Sequence, residues 1–312
     1  MRRLYLATKL FNPHDRLTSL NLCETVDGWI DEGLLTNMAH CFLPFRDSNN
    51  EIPDDVEDAG QAIFDLDIET MNACDGVIGF FDGPAFDSGV AFEIGYAYTL
   101  GYPITMITTD YFTISVHDSP QSFPISSLIM FLAYIIHVAE NDLPIEDYRE
   151  SNNAIINLAV DQLRFQLIND FGDSSKSIRP KLEPQEIMFD YYLDPNFSYT
   201  EGGRALLTSI ISALQAANKT YVLGENFGNI PASLNNLAQS GQAIYYADPF
   251  DPNVDSSLLQ GISFGLGRLP ILYSSNEQWY DWRNPFKKNI MIQYSSAAVV
   301  SSVDELIALI TP

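Results

Sequence analysis

Short apolar runs alternate with longer stretches of helical periodicity along the first half of this chain. Leu4-Tyr5-Leu6-Ala7 reads as a buried strand, followed by a polar turn at Asn12-Pro13. Residues 17–34 carry Leu22, Val26, Trp29 and Ile30 at helical spacing. Cys41-Phe42-Leu43 is a second strand, and residues 46–58 form a polar loop rich in Asp and Asn. A helix is expected over 63–73, before Val77-Ile78-Gly79-Phe80-Phe81, a strand apolar on both faces. After a turn at Asp82-Gly83-Pro84, a helix runs over 88–100 until Gly101 and Pro103 stop it, and Ile104-Thr105-Met106-Ile107 is the next strand. Strand and helix in alternation indicate α/β, a parallel sheet covered on both faces. Residues 153–171 form a long amphipathic helix, and the polar, aperiodic segment that follows, with Pro180 and Pro184, reads as a linker.

The same order of elements returns after the linker. Helices over 204–217 and 232–239 flank the strand Tyr221-Val222-Leu223. Ala243-Ile244-Tyr245-Tyr246-Ala247-Asp248 sits against Val77-Ile78-Gly79-Phe80-Phe81-Asp82, and Asp255-Ser256-Ser257-Leu258 against Asp87-Ser88-Gly89-Val90 after two extra residues in the turn. The next helix runs to Gly267 and Pro270 before Ile271-Leu272-Tyr273. The pattern is read as a tandem duplication, with a first domain over 1–172, a linker over 173–186 and a diverged second domain over 187–312. Each domain is expected to be flavodoxin/Rossmann-like, a mainly parallel sheet flanked by helices.

Composition narrows the partners. The 312 residues hold 16 Lys+Arg against 41 Asp+Glu, a formal net charge of −25, while 46% are hydrophobic. Such a surface repels phosphate backbones and anionic lipid, which argues against nucleic acid and membrane and favours a neutral small molecule. Three cysteines without C-x-x-C or a Cys/His cluster support neither a disulfide framework nor a zinc site, so no metal is expected. The N-terminal apolar run ends at Thr8-Lys9, too short for a signal peptide. The longest apolar stretch, residues 125–136, is too short to span a bilayer. The reading is a cytoplasmic protein.

The strongest chemical signal is the segment from Asp82 through Ala97. In a helix starting near Ser88, positions 90, 93, 94 and 97 share one face. Three are Val90, Ile94 and Ala97, so Glu93 projects from the apolar face. A carboxylate there must be paired, hydrogen-bonded or functional. Asp87 stands at the strand-to-helix turn, where α/β sheets place ligand sites. The structural alternative is that Asp87 or Ser88 caps the helix and Glu93 meets a nearby cation. On the preceding helix Asp65 and Glu69 read as a solvated face, whereas Asp67 lies eight residues before Asp75. The histidines His14, His40, His117 and His137 show neither metal spacing nor a triad signature. Gly265-Leu266-Gly267 lies inside a helix rather than before one and is no dinucleotide fingerprint.

Over about its first 140 residues the chain resembles the nucleoside 2-deoxyribosyltransferases. The resemblance rests on the helix with Glu93, on Asp87 six residues before it, on Asp67 before Asp75-Gly76-Val77-Ile78, and on Tyr5 and Phe11 of the opening strand and loop. It implies that Glu93 is the nucleophile, that Asp67 and Asp87 contact the base and support its protonation, and that Tyr5 orients the nucleophile. Phe11, Asp82 and Gly89 are expected at the substrate. The implied reaction is base exchange on 2′-deoxynucleosides through a covalent glycosyl-Glu93 intermediate, with a nucleoside and a free base as partners and no cofactor.

Members of this family bring an Asn of an Asn-x-Met segment from a neighbouring subunit to the sugar. Ser127-Leu128-Ile129-Met130 departs from that pattern, whereas Asn289-Ile290-Met291 matches it. In the second half Asp67 is matched by Ser233, and Glu93 falls on Gly261, or on Gln260 with a one-residue slip. The expectation is therefore a pseudo-dimer with one active site, Glu93 from the first half and Asn289 and Met291 from the second, assembling further into a homo-oligomer. Two alternatives stand beside it. One is an N-glycoside hydrolase of the same fold acting on nucleosides or 5′-monophosphates, for which the first loop offers only Lys9, His14 and Arg16. The other is a non-catalytic nucleoside- or nucleotide-sensing module, against which the set Glu93, Asp87 and Asp67 argues.

Overall fold

The computed structural model describes residues 1–10, 12–47, 58–82, 87–109, 114–115, 122–123, 126–139, 147–171, 181–224, 229–247, 253–274 and 289–311. Two parallel sheets, each flanked by helices, make up the α/β architecture. In the first, β1 (Leu4–Thr8), β2 (Gly76–Phe80), β3 (Ile104–Thr108) and β6 (Tyr134–His137) pair in that order. The expected strand at 41–43 contributes a single parallel bridge, Tyr5 to Phe42, beside β1. Its backbone is tied in by Leu6 N–H to Phe42 O and Phe42 N–H to Leu4 O, each at 2.8 Å. Counting this edge segment, the chain order across the sheet is 2-1-3-4-5, the flavodoxin-like arrangement. β1 and β3 are buried along their whole length, which is why they read as continuous apolar runs.

The helices of this half are α1 (Pro13–Asp31), α2 (Pro44–Asp47), α3 (Ala59–Asn72), α4 (Ser88–Thr99), α5 (Ser127–Leu132) and α6 (Tyr148–Phe171). α1 starts earlier than the apolar spacing indicates because Asn12 caps it, accepting from Asp15 N–H, with Pro13 in its first turn. The apolar stretch 125–136 divides into α5 and β6. Between them and β3, β4 (Ile114–Ser115) and β5 (Ser122–Phe123) form a small antiparallel pair. The remainder of 110–124, apart from these four residues, lies outside the described residues.

The second sheet has the order β8-β7-β9-β10-β11, with β7 (Phe189–Leu193), β8 (Tyr221–Leu223), β9 (Ser240–Ala247), β10 (Ile271–Ser274) and β11 (Ala298–Val300). This is again 2-1-3-4-5, all parallel. Its helices are α7 (Glu201–Ala216), α8 (Ile230–Ala238), α9 (Val254–Gly265), α10 (Ile290–Tyr294) and α11 (Val303–Ile310). β7, the interior strand that opens this half, has no counterpart in the sequence reading. Phe-Asp-Tyr-Tyr-Leu places an acid beside the aromatics and so hides its apolar run.

α4 and α9 pack against each other at backbone contact. A Cβ on Gly95 would stand 2.0 Å from Leu258 O, and one on Gly261 would stand 2.0 Å from Phe92 O. Only glycine permits such an approach, and the two contacts are reciprocal. One hydrophobic cluster runs through this crossing from Tyr5 and Val77 to Tyr192, Ala243 and Leu272, joining the inner faces of both sheets. The outer faces carry their own cores, one under α1 and α6 and one under α7 and α11.

The crossing also corrects the sequence register of the two helices. Both have 12 residues, with Asp87 capping α4 and Asn253 capping α9, and each is followed by a glycine of positive φ, Gly101 or Gly267. Asp87 thus corresponds to Asn253 rather than Asp255, Gly89 to Asp255, and Glu93 to Leu259 rather than Gly261 or Gln260. The shared Asp-Ser letters suggested otherwise. The cap and the glycine crossing are set by geometry, and Asn caps a helix as well as Asp does.

Candidate active site

Four buried polar side chains meet where α3 and α4 cover the middle of the first sheet. Tyr5, fully buried on β1, donates its hydroxyl to Glu93 Oε1 at 2.8 Å. Glu93 lies in the second turn of α4 with its apolar neighbours Val90, Ile94 and Ala97 all buried, as the helical spacing required. Asp67 comes from α3, on the same buried face as Phe64 and Met71. Asp65 and Glu69 of that helix are exposed. Asp87 caps α4, its carboxylate accepting from Val90 N–H at 2.8 Å. The capping role is therefore real, and Asp87 is also close enough to act electrostatically on Glu93.

The cluster is strongly perturbed. Burial and the neighbouring Asp67 push Glu93 well above the usual carboxylate range. Asp87 adds to that rise, and the Tyr5 hydrogen bond opposes it. Burial alone pushes Asp67 up to about 7, and Tyr5 is held well above an ordinary phenol by burial and by Asp67 and Glu93. Acids spread in this way within one buried cluster suit proton transfer near neutrality. Among the described residues no group of three His, Cys, Asp or Glu side chains could hold a metal ion.

Asn289 of the second half closes the edge of the cluster. It caps α10, accepting from Met291 N–H at 3.0 Å, and lies buried against the first turn of α4. A Cβ on Gly89 would stand 2.8 Å from both amide atoms of Asn289 and 3.0 Å from Asp87 Oδ1. Met291 is buried in the shared core. Asp82, expected at the substrate, directs its carboxylate to Thr109 N–H at 2.6 Å and to the hydroxyls of Thr108 and Thr109, joining the ends of β2 and β3. Phe11 lies outside the described residues.

Equivalent positions in the second half carry different chemistry. Tyr192 matches Tyr5 in its strand, but its hydroxyl bonds Ser233 Oγ at 2.8 Å, with Ser233 standing where α3 has Asp67. Leu259 replaces Glu93. Asp255, in place of Gly89, accepts from the Ser126 hydroxyl at the start of α5, the mirror of the Asn289 contact. Asp194, just after β7, is fully buried, and its carboxylate accepts from Asn196 N–H, Tyr246 N–H and Ser256 Oγ at 3.0, 3.1 and 2.8 Å. Sequence reasoning missed Asp194, and it also missed Phe264, an aromatic of α9 that lies between α3 and α4. Neither belongs to a local motif.

Comparison with known proteins bears on the first half. Residues 4–155 match the model of the nucleoside 2-deoxyribosyltransferase family. Among solved structures, a 2-deoxyribosyltransferase from the psychrotolerant bacterium Bacillus psychrosaccharolyticus is 22% identical, over 36% of this chain and 77% of that one, with a TM-score of 0.30. A conserved protein from Enterococcus faecalis V583 is 24% identical, over 49% of this chain and 98% of that one, with a TM-score of 0.35. No curated protein matches the chain. Among the described residues no helix is long and apolar enough to cross a membrane. By the family match, the first half of this chain, residues 4–155, belongs to the nucleoside 2-deoxyribosyltransferase family.

Proposed function

We propose that the protein exchanges the base of 2′-deoxynucleosides at a single site built from both halves, with Glu93 as the nucleophile. The observation that carries this reading is the buried Tyr5–Glu93 pair beside Asp67, one carboxylate aligned by a phenol and a second pushed up to about 7. In the first step a Glu93 oxygen bonds to C1′ as the C1′–N bond breaks. The electron pair leaves with the base, which takes up a proton from Asp67, while Asp87 holds the base. In the second step a nitrogen of the incoming base attacks C1′ from the other face. The ester C–O bond breaks, its electrons return to Glu93, and the base proton returns to Asp67. Two inversions give net retention, and neither step calls for a metal or organic cofactor.

On this reading the chain is a fused pseudo-dimer that arose by tandem duplication. The supporting observations are the identical strand orders, the reciprocal glycine crossing and the mirrored contacts Asn289 to Gly89 and Ser126 to Asp255. Asn289 would bond the sugar. Leu259 and Ser233 stand where the first half has its nucleophile and acid, and Asp194 is committed to hydrogen bonds within its own half. A 5′-monophosphate substrate is disfavoured because the nearby cations are engaged. Lys9 Nζ donates to Asp82 O at 2.7 Å, and Arg16 donates to Leu10 O at 2.7 Å while stacking on Phe45.

Incubation with 2′-deoxyinosine, with and without adenine, tests the proposal by chromatography of bases and nucleosides. The expected result is 2′-deoxyadenosine only when adenine is present, lost in Glu93→Ala, with a deoxyribosyl adduct on Glu93 by mass spectrometry. Hypoxanthine and free deoxyribose without a new nucleoside would replace transfer by hydrolysis. Absence of both, with pyrimidine deoxynucleosides, ribonucleosides and monophosphates also inert, would overturn the enzymatic reading.

A further inference from the structure

The second half touches the candidate site at more than Asn289. Phe264 of α9 sits between the two helices that carry Asp67 and Glu93. Its ring meets Phe64 of α3 edge-on at 5.4 Å between centroids, Phe92 of α4 at 5.7 Å and Tyr96 of α4 at 5.5 Å. Phe64 lies three residues before Asp67 on the same helix face, and Phe92 directly precedes Glu93. One ring from the second half thus packs simultaneously on the supports of the acid and of the nucleophile.

Three further contacts hold the same two helices from the same side. Gly261, one turn before Phe264, abuts Phe92 O, so α9 rests on the α4 backbone at the residue preceding Glu93. Tyr294 of α10 donates its hydroxyl at 2.6 Å to Asp58, the residue that caps α3, and its ring lies 6.4 Å from that of Phe64. Asn289, at the other end of α10, lies on the first turn of α4. On the sheet side, Tyr5 alone reaches Glu93 with a hydrogen bond among the described residues. The relative placement of α3 and α4 is therefore set from opposite sides, by β1 and by the second half.

We infer that the second half is a positioning frame for the site, in which Phe264, packed onto both Phe64 and Phe92 where those two rings already meet at 6.2 Å between centroids, holds Asp67 and Glu93 at their separation. Phe264 is a positioning residue, since its contacts are with the helices and not with the reacting groups. Removing the ring opens a gap that helices can only partly close, so α3 and α4 shift relative to one another. Misplacement of an acid and a nucleophile by about 1 Å costs on the order of 100-fold in turnover. The inference rests on the transferase reading for its effect on turnover, but not for the effect on Asp67, which faces Tyr5 of β1 and Glu93 of α4 and titrates whether or not the protein catalyses.

The test measures two things on the full chain for Phe264→Ala, Phe264→Tyr and Leu306→Ala. Leu306 is fully buried in the outer core under α7 and α11 and supplies a comparable loss of packing away from the site. The first measurement is the titration midpoint of Asp67, by carbon NMR of aspartate-labelled protein with the resonance assigned through Asp67→Asn. The second is kcat and KM for base exchange. For Phe264→Ala the midpoint is expected to move from about 7 towards ordinary carboxylate values by about one pH unit or more as water enters and the burial of Asp67 is relieved. Turnover should fall about ten- to hundredfold with KM changed less than about threefold. Phe264→Tyr keeps the ring and should restore both, and Leu306→Ala should leave both at wild-type values. If Phe264→Ala does not fold, Phe264→Leu is measured in its place. An unmoved Asp67 midpoint overturns the inference whatever the activity, and so does an equal loss of turnover in Leu306→Ala. A moved midpoint in a protein whose wild type performs neither transfer nor hydrolysis leaves the frame standing and removes the functional reading instead.

Discussion

Asn289 of the second half lies across Gly89 of the first, with both amide atoms 2.8 Å from the place a Cβ on that glycine would take. The contact brings an amide to the edge of the Glu93 cluster, and it exists only because the position facing it has no side chain. Asn289→Ala should lower kcat/KM for a deoxynucleoside about ten- to hundredfold, the range expected for one lost polar contact with the sugar. The loss of the α10 cap should cost only about 1 kcal/mol of stability. Asn289→Asp keeps a capping acceptor for Met291 N–H but sets a second negative charge beside Asp87, and it should be as inactive as the alanine variant. Steady-state kinetics with parallel denaturant unfolding separates the two effects. Wild-type kinetics in Asn289→Ala would remove the second half from the site.

The Tyr5 hydroxyl lowers the proton affinity of Glu93 against the opposing effects of burial, Asp67 and Asp87. In Tyr5→Phe that restraint is gone, so Glu93 becomes harder to ionise. The acidic limb of the kcat/KM profile should move to higher pH, with the largest loss of rate below neutrality and partial recovery above pH ~8. A profile reduced by the same factor at every pH would mean that Tyr5 acts through packing alone.

Asp67 carries a stability consequence of defined sign. Its folded-state pKa of about 7 lies above the value of an unfolded aspartate, so the folded chain binds the extra proton. Its contribution is fully present below pH ~4 and is lost as pH rises through about 7. Asp255 and Asp194, both pushed up to about 6 by burial, act in the same direction over a window that closes near pH 6. Asp67→Asn should therefore be more stable than the wild type at pH 8, by up to a few kcal/mol, and by clearly less at pH 5. It should lose base exchange at both. Urea unfolding at the two pH values measures the difference, and equal gains at both would show that Asp67 is not protonated in the folded state.

Away from the site, Arg46 holds the edge of the first sheet. Its guanidinium donates to Asp27 at 2.8 Å, to both Asp47 oxygens and to Cys41 O, and Asp27 in turn accepts from Cys41 N–H at 2.6 Å. The residues before Phe42 thus gain through this network the backbone partners that a full strand would have supplied. Arg46→Met should cost roughly 1–3 kcal/mol in denaturant unfolding, since it leaves Asp27 and Cys41 O without their shared donor. The Asp67 midpoint should stay at its wild-type value, and a large shift there would tie the sheet edge to the candidate site.

Much of the first half was legible because each of its elements is locally consistent. β1 and β3 are buried throughout and largely apolar, and Glu93 stood out as a charge on the Val90–Ile94–Ala97 face of α4. The capping role of Asp87 could likewise be read from its place before Ser88. The second half was harder. β7 mixes an acid with aromatics, and the match of Asp87 to Asp255 followed shared letters where the fold follows the cap at Asn253 and the glycine crossing.

The sequence by itself determined the alternation of strands and helices, the placement of Glu93 on an apolar helix face, and the lack of a glutamate nucleophile in the second half. These depend on period and local chemistry, which a single chain displays. The tertiary structure alone decided that α4 and α9 touch at Gly95 and Gly261, that Asn289 reaches Gly89, and that Phe264 packs on both Phe64 and Phe92. Each of these contacts joins residues more than 160 positions apart in the chain. Periodicity marks an apolar face, but the residue that meets it is chosen by how closely two backbones can approach.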